Sequence, residues 1–126
     1  MEIALRFGFD AAHEFGHFPA GHPNHGVHGH SFQAEVAVRG EPGRDTGFVV
    51  DFADLEKACA ALRAELDHKM LNKVPGLETP SLENLCIWIW RRLAPRFSLA
   101  RVTVGRESIG QSCTYTGPST PPAQYP

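Results

Sequence analysis

From Ile3 onward the chain alternates between apolar and polar positions. Ile3, Leu5, Phe7, Phe9, Ala11 and His13 occupy odd positions, and Glu2, Ala4, Arg6, Gly8 and Asp10 the even ones. A period of two sends successive side chains to opposite faces, so this segment predicts a strand with one buried face. The pattern returns at His30, Phe32, Ala34, Val36 and Val38, with Ser31, Gln33, Glu35 and Arg39 on the other face, and ends near Gly40-Glu41-Pro42-Gly43. Residues 14–27, rich in Gly, Pro, Asn and His, predict a loop between the two strands. The period then lengthens. Leu55, Ala58, Cys59, Leu62 and Leu66 follow helical spacing, with Asp51 or Ala53-Asp54 opening the helix and Asp67-His68 at or just beyond its end. A second helix is expected from Thr79-Pro80, read as an N-cap followed by a first-turn proline, through Leu85, Ile87, Trp88, Ile89 and Leu93. Arg101–Glu107 and Ser112–Thr116 predict two closing strands.

Strands and helices segregated in this order favour an α+β fold, with both helices covering one face of a four-stranded antiparallel sheet. The other face, carrying Arg6, Asp10, Gln33, Glu35 and Arg39, must meet water or a polar lumen. The sheet's two edges need protection, and pairing with other subunits is one solution. At 126 residues the chain is expected to be a single domain over residues 1–117, followed by a proline-rich extension over 118–126.

Charge removes several function classes. Twelve basic against fourteen acidic residues, scattered along the chain, form no basic stripe, so nucleic acid is not an expected partner. No apolar run approaches the roughly 20 residues of a membrane span, and the N-terminus does not read as a signal peptide, so a soluble cytoplasmic protein is expected. Cys59, Cys86 and Cys113 are an odd, widely spaced set that suits reduced thiols.

Histidine changes the picture most. Six of the seven histidines, His13, His17, His22, His25, His28 and His30, fall within eighteen consecutive residues. Neutral imidazole is the commonest protein ligand for zinc, and a catalytic zinc typically takes three protein ligands. If the first two strands pair antiparallel, His13 at the end of one lies beside His28 and His30 at the start of the next. Residues two apart on a strand point the same way, roughly 6.5 to 7 Å apart, so the three can grip one ion. The bland alternative is a histidine-rich surface loop.

Several separate motifs resemble one family. Phe9-Asp10-Ala11-Ala12-His13, His28-Gly29-His30-Ser31-Phe32, Gly47-Phe48-Val49-Val50-Asp51-Phe52, Leu66-Asp67-His68-Lys69-Met70-Leu71-Asn72 and Glu107 occur in the order found in the 6-pyruvoyltetrahydropterin synthase and 6-carboxytetrahydropterin synthase family. The resemblance implies the tunnelling fold, in which three subunits join their sheets into a barrel, as a homotrimer or homohexamer. It implies zinc held by His13, His28 and His30, Asp67 and His68 as a proton-transfer dyad, and Glu107 as the anchor of a small-molecule pterin substrate. Without it, Asp67-His68 reads as a helix C-terminal pair and Glu107 as a solvated carboxylate at a strand end.

Two positions depart from the family pattern. Synthases of this family usually carry a catalytic cysteine four to six residues before the His-Gly-His triplet, where this chain has His22, Pro23 and Asn24. His25 or His22 is the candidate replacement base, because imidazole titrates near neutrality. In Pro80-Ser81-Leu82-Glu83-Asn84, Leu82 stands where the family more often has a second hydroxyl, leaving Ser81 to contact the pterin. The expected function is a zinc-dependent lyase resembling 6-carboxytetrahydropterin synthase and acting on 7,8-dihydroneopterin triphosphate or a related pterin. The alternatives are 6-pyruvoyltetrahydropterin synthase-like triphosphate elimination, side-chain cleavage with a rearranged base, and a non-catalytic zinc- and pterin-binding homologue. Arg6, Lys69, Lys73 and Arg101 are candidate triphosphate contacts, each equally readable as an ordinary surface charge.

Overall fold

The computed structural model describes residues 1–119; the extension expected over 118–126 therefore lies almost entirely outside the described residues. Four strands, β1 (Glu2–His13), β2 (His28–Arg39), β3 (Leu99–Arg106) and β4 (Gln111–Tyr115), form one antiparallel sheet in sequence order. Two helices, α1 (Phe52–Leu66) and α2 (Leu82–Leu93), cross between β2 and β3. The helices pack on one face, α1 against β1 and α2 against β3 and β4. The expected α+β layering is therefore the observed one.

The alternation in β1 and β2 became a buried face because both helices offer an apolar stripe to it. Phe9, Phe32, Val36, Val102 and Val104 meet Leu55, Leu62, Leu66, Leu85 and Ile89 in one core. Full burial of each such side chain contributes about 1.5–3 kcal/mol. Asp51 caps α1, its carboxylate accepting from the Ala53 N–H at 2.9 Å. Ala37 faces Arg101 and Val38 faces Leu99, so the extra residue is Ala100, a bulge on β3 at which Leu99 and Ala100 are both buried.

Two boundaries correct the sequence expectation. The N-cap of α2 is Ser81 rather than Thr79: the Ser81 hydroxyl accepts from the Asn84 N–H at 3.1 Å. Pro80 lies outside the helix and presents its carbonyl to His13. Glu107 is not the last residue of a strand but the first of a short 3-10 turn, Glu107–Ile109, closed by Gly110 at φ 68°. This turn joins β3 to β4, and the left-handed glycine makes it possible.

The polar face is organised by Glu35. Its carboxylate pairs with Arg101 and with the Arg6 Nε at 3.0 Å, and the Arg101 hydrogen bond, followed by that of Arg6, holds it below the usual carboxylate range. Both arginines considered for triphosphate are thus engaged within the sheet. β1 and β4 are the outer strands; residues 67–70 bond the Asp10–Ala12 end of β1, and among the described residues no further strand pairs with either edge.

Candidate metal centre and active site

The antiparallel register sets His13 opposite His28 and Ala11 opposite His30. The three imidazoles therefore project from the helix-covered face at the same end of the sheet, and one nitrogen of each lies within 4.8 Å of the others. His13 is 0% exposed, walled by Phe15 and Phe32.

Hydrogen bonds determine what the rings can do. The His13 Nδ1–H donates to the Pro80 carbonyl at 3.0 Å, and the His28 Nδ1–H donates to the Gly26 carbonyl at 2.7 Å. In a neutral imidazole the other nitrogen then carries a lone pair. Yet the His13 and His28 Nε2 atoms face one another at 2.9 Å. Two lone pairs at that distance repel. The His30 Nε2 is buried without any partner. Two facing lone pairs and a third ring nitrogen without a partner ask for an electrophile, and the all-nitrogen donor set suits zinc with a coordination position left open. Protonation is a poor substitute: burial pushes the His13 pKa down to about 4, outweighing the Pro80 carbonyl, and burial also lowers that of His30.

Two hollows flank this cluster. One, of about 580 Å³, is lined by Asp10, Gly29, His30, His68, Lys69 and Met70, bringing an exposed His68 beside a member of the histidine cluster. Asp67 and His68 are sequence neighbours that interact through a left-handed turn. His68 has φ 58°, its N–H donates to the Asp10 carbonyl at 2.6 Å, and its Nδ1 lies 3.0 Å from an Asp67 carboxylate oxygen. That carboxylate also accepts from the Asp10 N–H at 2.9 Å and pairs with Arg63 at 3.1 Å. The Asp10 N–H above all, with His68 and Arg63, keeps Asp67 ionised below the usual range. His68 accordingly engages Asp67 instead of capping a helix carbonyl.

The second hollow, about 600 Å³, is lined by Phe15, His17, Phe18, Ser81, Glu83 and Arg106, with Asn24 on its wall. The Ser81 hydroxyl, already accepting from Asn84, retains its own O–H as a donor. Glu107 instead lines a third hollow of about 370 Å³ on the polar face with Gln33, Glu35 and Thr103. The second and third hollows share Gln111 and Ser112.

The loop histidines behave differently. The His25 Nδ1–H donates to the Phe18 carbonyl at 2.5 Å, and His25 lines neither hollow beside the cluster. His22 stacks on Phe18 at 4.2 Å, and its Nδ1 accepts from the Asn24 N–H at 3.1 Å. Burial raises the Cys59 thiol to about 11 and that of Cys86 to about 12, while Cys113, half-buried on β4, lines the second hollow. Sequence reasoning missed Arg106, and it gave His17, which lines the second hollow, no role of its own. A basic residue ending an apolar strand beside Glu107 was the available signal for Arg106, but nothing linear pointed it toward the histidines.

The comparisons with known proteins agree with this geometry. The family model described as 6-pyruvoyl tetrahydropterin synthase matches residues 2–118. A putative 6-carboxy-5,6,7,8-tetrahydropterin synthase of Archaeoglobus fulgidus is 37% identical over 82% of this chain and 86% of its own length. A dihydroneopterin monophosphate aldolase of Pyrococcus furiosus is 38% identical over 72% and 73%. The Caenorhabditis elegans 6-pyruvoyl tetrahydropterin synthase structure superposes with a TM-score of 0.82 at 26% identity, covering 94% of this chain and 96% of that one. On motif order, register and fold together, this chain belongs to the 6-pyruvoyl tetrahydropterin synthase family.

Proposed function

We propose that the protein is a zinc-dependent lyase that cleaves the side chain of a 7,8-dihydroneopterin phosphate, as a 6-carboxytetrahydropterin synthase does. The observation that carries this reading is the convergence of three imidazoles, two with lone pairs turned toward one another and the third with a buried nitrogen that has no partner. His13, His28 and His30 would hold the zinc. Bound there, zinc supplies Lewis acidity toward an oxygen of the substrate side chain.

The chain's own residues do the remainder. His68 shares a hollow with His30 and carries protons, while Asp67 orients its ring and stabilises the imidazolium. Glu107 supplies a carboxylate able to accept two N–H bonds from a pterin's donor edge, and Ser81 supplies a hydroxyl donor. Lys69, beside His30 and His68, is the basic residue placed for side-chain phosphate. His25, held by Phe18 and outside both hollows beside the cluster, is the weaker base candidate. The outer edges of β1, over Glu2–Phe9, and of β4, paired with no further strand among the described residues, support closure into a trimeric barrel.

The lack of a cysteine at loop positions 22–24, where His22, Pro23 and Asn24 stand, favours a second reading within the same chemistry. Aldol cleavage of a dihydroneopterin phosphate begins with loss of a hydroxyl proton, which asks less of a base than removal of a carbon-bound proton. The aldolase name of the Pyrococcus furiosus relative supports it. Incubating the zinc-loaded protein with 7,8-dihydroneopterin triphosphate and, separately, the monophosphate, followed by mass analysis, tests both. Acetaldehyde, triphosphate and 6-carboxytetrahydropterin support the first reading. A 6-hydroxymethyl dihydropterin with a two-carbon phosphorylated aldehyde supports the second. Tight binding with both esters intact overturns both in favour of a binding role.

A further inference from the structure

Arg106 stands out as a partly buried cation whose neighbouring anion, Glu83, does not reach it as an ion pair. It is half-buried at the end of β3 and lines the hollow between the loop and α2. Its guanidinium centre lies 5.9 Å from the Phe32 ring centroid, and that ring lies 5.7 Å from His13 and 5.6 Å from His30. Arginine has five N–H donors. One goes to the Gln111 side-chain oxygen at 3.1 Å, while the Nε–H is buried with no partner. The Phe32 contact is at the outer limit of about 6 Å for cation–π attraction. No carboxylate of the described residues forms an ion pair with Arg106, although Glu83 shares the hollow. Burial lowers its pKa, and the charge of Glu83 across the hollow offsets only part of that cost.

A positive group poised between a substrate-sized hollow and the histidine cluster belongs where negative charge develops. We propose that Arg106 is a catalytic residue that stabilises the negative charge reaching N5 of the dihydropterin ring when the side chain reacts. This rests on the functional reading above. A 7,8-dihydropterin has an imine between C6 and N5, directly attached to side-chain carbon C1′. If the C1′–H bond breaks, the proton passes to the His68 imidazole and the electron pair forms a C1′–C6 double bond, sending the imine pair onto N5. If the C1′–C2′ bond breaks instead, the proton of the C2′ hydroxyl passes to the imidazole, C2′ leaves as an aldehyde, and the pair ends on the same nitrogen. The imidazolium then returns its proton to carbon or to N5. Both routes place charge on one atom, and a preorganised donor there serves either.

The test is steady-state kinetics of the zinc-loaded protein, on whichever ester it cleaves, for wild type, Arg106→Gln and Arg106→Lys, with zinc content measured on each. Loss of a donor to a developing anion lowers kcat by about 100-fold or more. The expected result is that fall in Arg106→Gln with KM within about threefold of wild type and zinc unchanged, and partial recovery in Arg106→Lys, which restores charge without the planar fork. A kcat for Arg106→Gln within about threefold of wild type, or a loss confined to KM, overturns the inference while leaving the lyase reading intact. Wild-type protein that cleaves neither ester overturns the lyase reading, and this inference with it. A purely structural role would reduce zinc content or thermal stability in both variants alike, and that pattern also counts against the proposal.

Discussion

The cluster at residues 13–30 contains two sets of histidines with the same chemistry and opposite fates. His13, His28 and His30 stand on paired strands, where register fixes their separation and backbone carbonyls orient two of the rings. His17, His22 and His25 belong to the intervening segment and are engaged by its own groups, chiefly Phe18 and Asn24. The difference shows that convergence of imidazoles depends less on histidine density than on a scaffold that turns the rings toward one point. Composition supplied six candidates, and strand pairing selected three.

The most severe test of this contrast is removal of one strand histidine. His28→Ala is expected to take bound zinc from about one per chain to under about one-tenth, since two ligands seldom retain a catalytic zinc. His25→Ala and His22→Ala are expected to keep full occupancy, measured by elemental analysis of untagged protein. A parallel loss in a loop variant would erase the distinction. Next in size is the dyad: Asp67→Asn is expected to lower kcat by about 10²–10³ with zinc content unchanged, because the ring of His68 loses its orienting charge. Equal activity in the variant would return Asp67-His68 to a merely structural pair.

The same contrast has a pH signature in metal-free protein. His13 keeps a pKa of about 4 when folded, against about 6.5 in the unfolded chain. Between those values the unfolded state binds the extra proton, so stability is full above about pH 6.5 and falls as pH drops toward 4. From pH 7.5 to 5 the expected loss is about 2 kcal/mol, read as a shift in denaturation midpoint. His13→Asn should flatten that slope relative to wild type, whereas His22→Ala should leave it in place. The smallest effect concerns the helix beside the site. Ser81→Ala is expected to cost about 1 kcal/mol by removing the cap, and Thr79→Ala close to nothing, compared by thermal melting.

Much of this was legible in the chain. The alternation of β1 and β2, the apolar positions of α1 and the place of His13, His28 and His30 at adjacent strand ends all follow from local period and from antiparallel pairing. The α2 boundary was misread because Thr79-Pro80 and Ser81 both carry plausible capping chemistry. The choice fell to Ser81 once the Pro80 carbonyl was taken by His13, sixty-seven residues away in sequence. The contact within Asp67-His68 was hidden because side chains of adjacent residues meet only when the backbone turns. Here His68 adopts φ 58°, held by the Asp10 carbonyl.

By itself, then, the sequence determined the layering, the register-bearing strands and the three histidines that those strands bring together, because hydrophobic period and residue type act locally. Tertiary structure alone decided which imidazole nitrogens remain lone pairs, since that depends on carbonyls at Gly26 and Pro80. It also decided that Arg6 and Arg101 are engaged by Glu35 while Arg106 retains unused donors beside the histidines. A charge acquires its role from what surrounds it, and those neighbours come together only when the sheet, the loop and α2 close around one space.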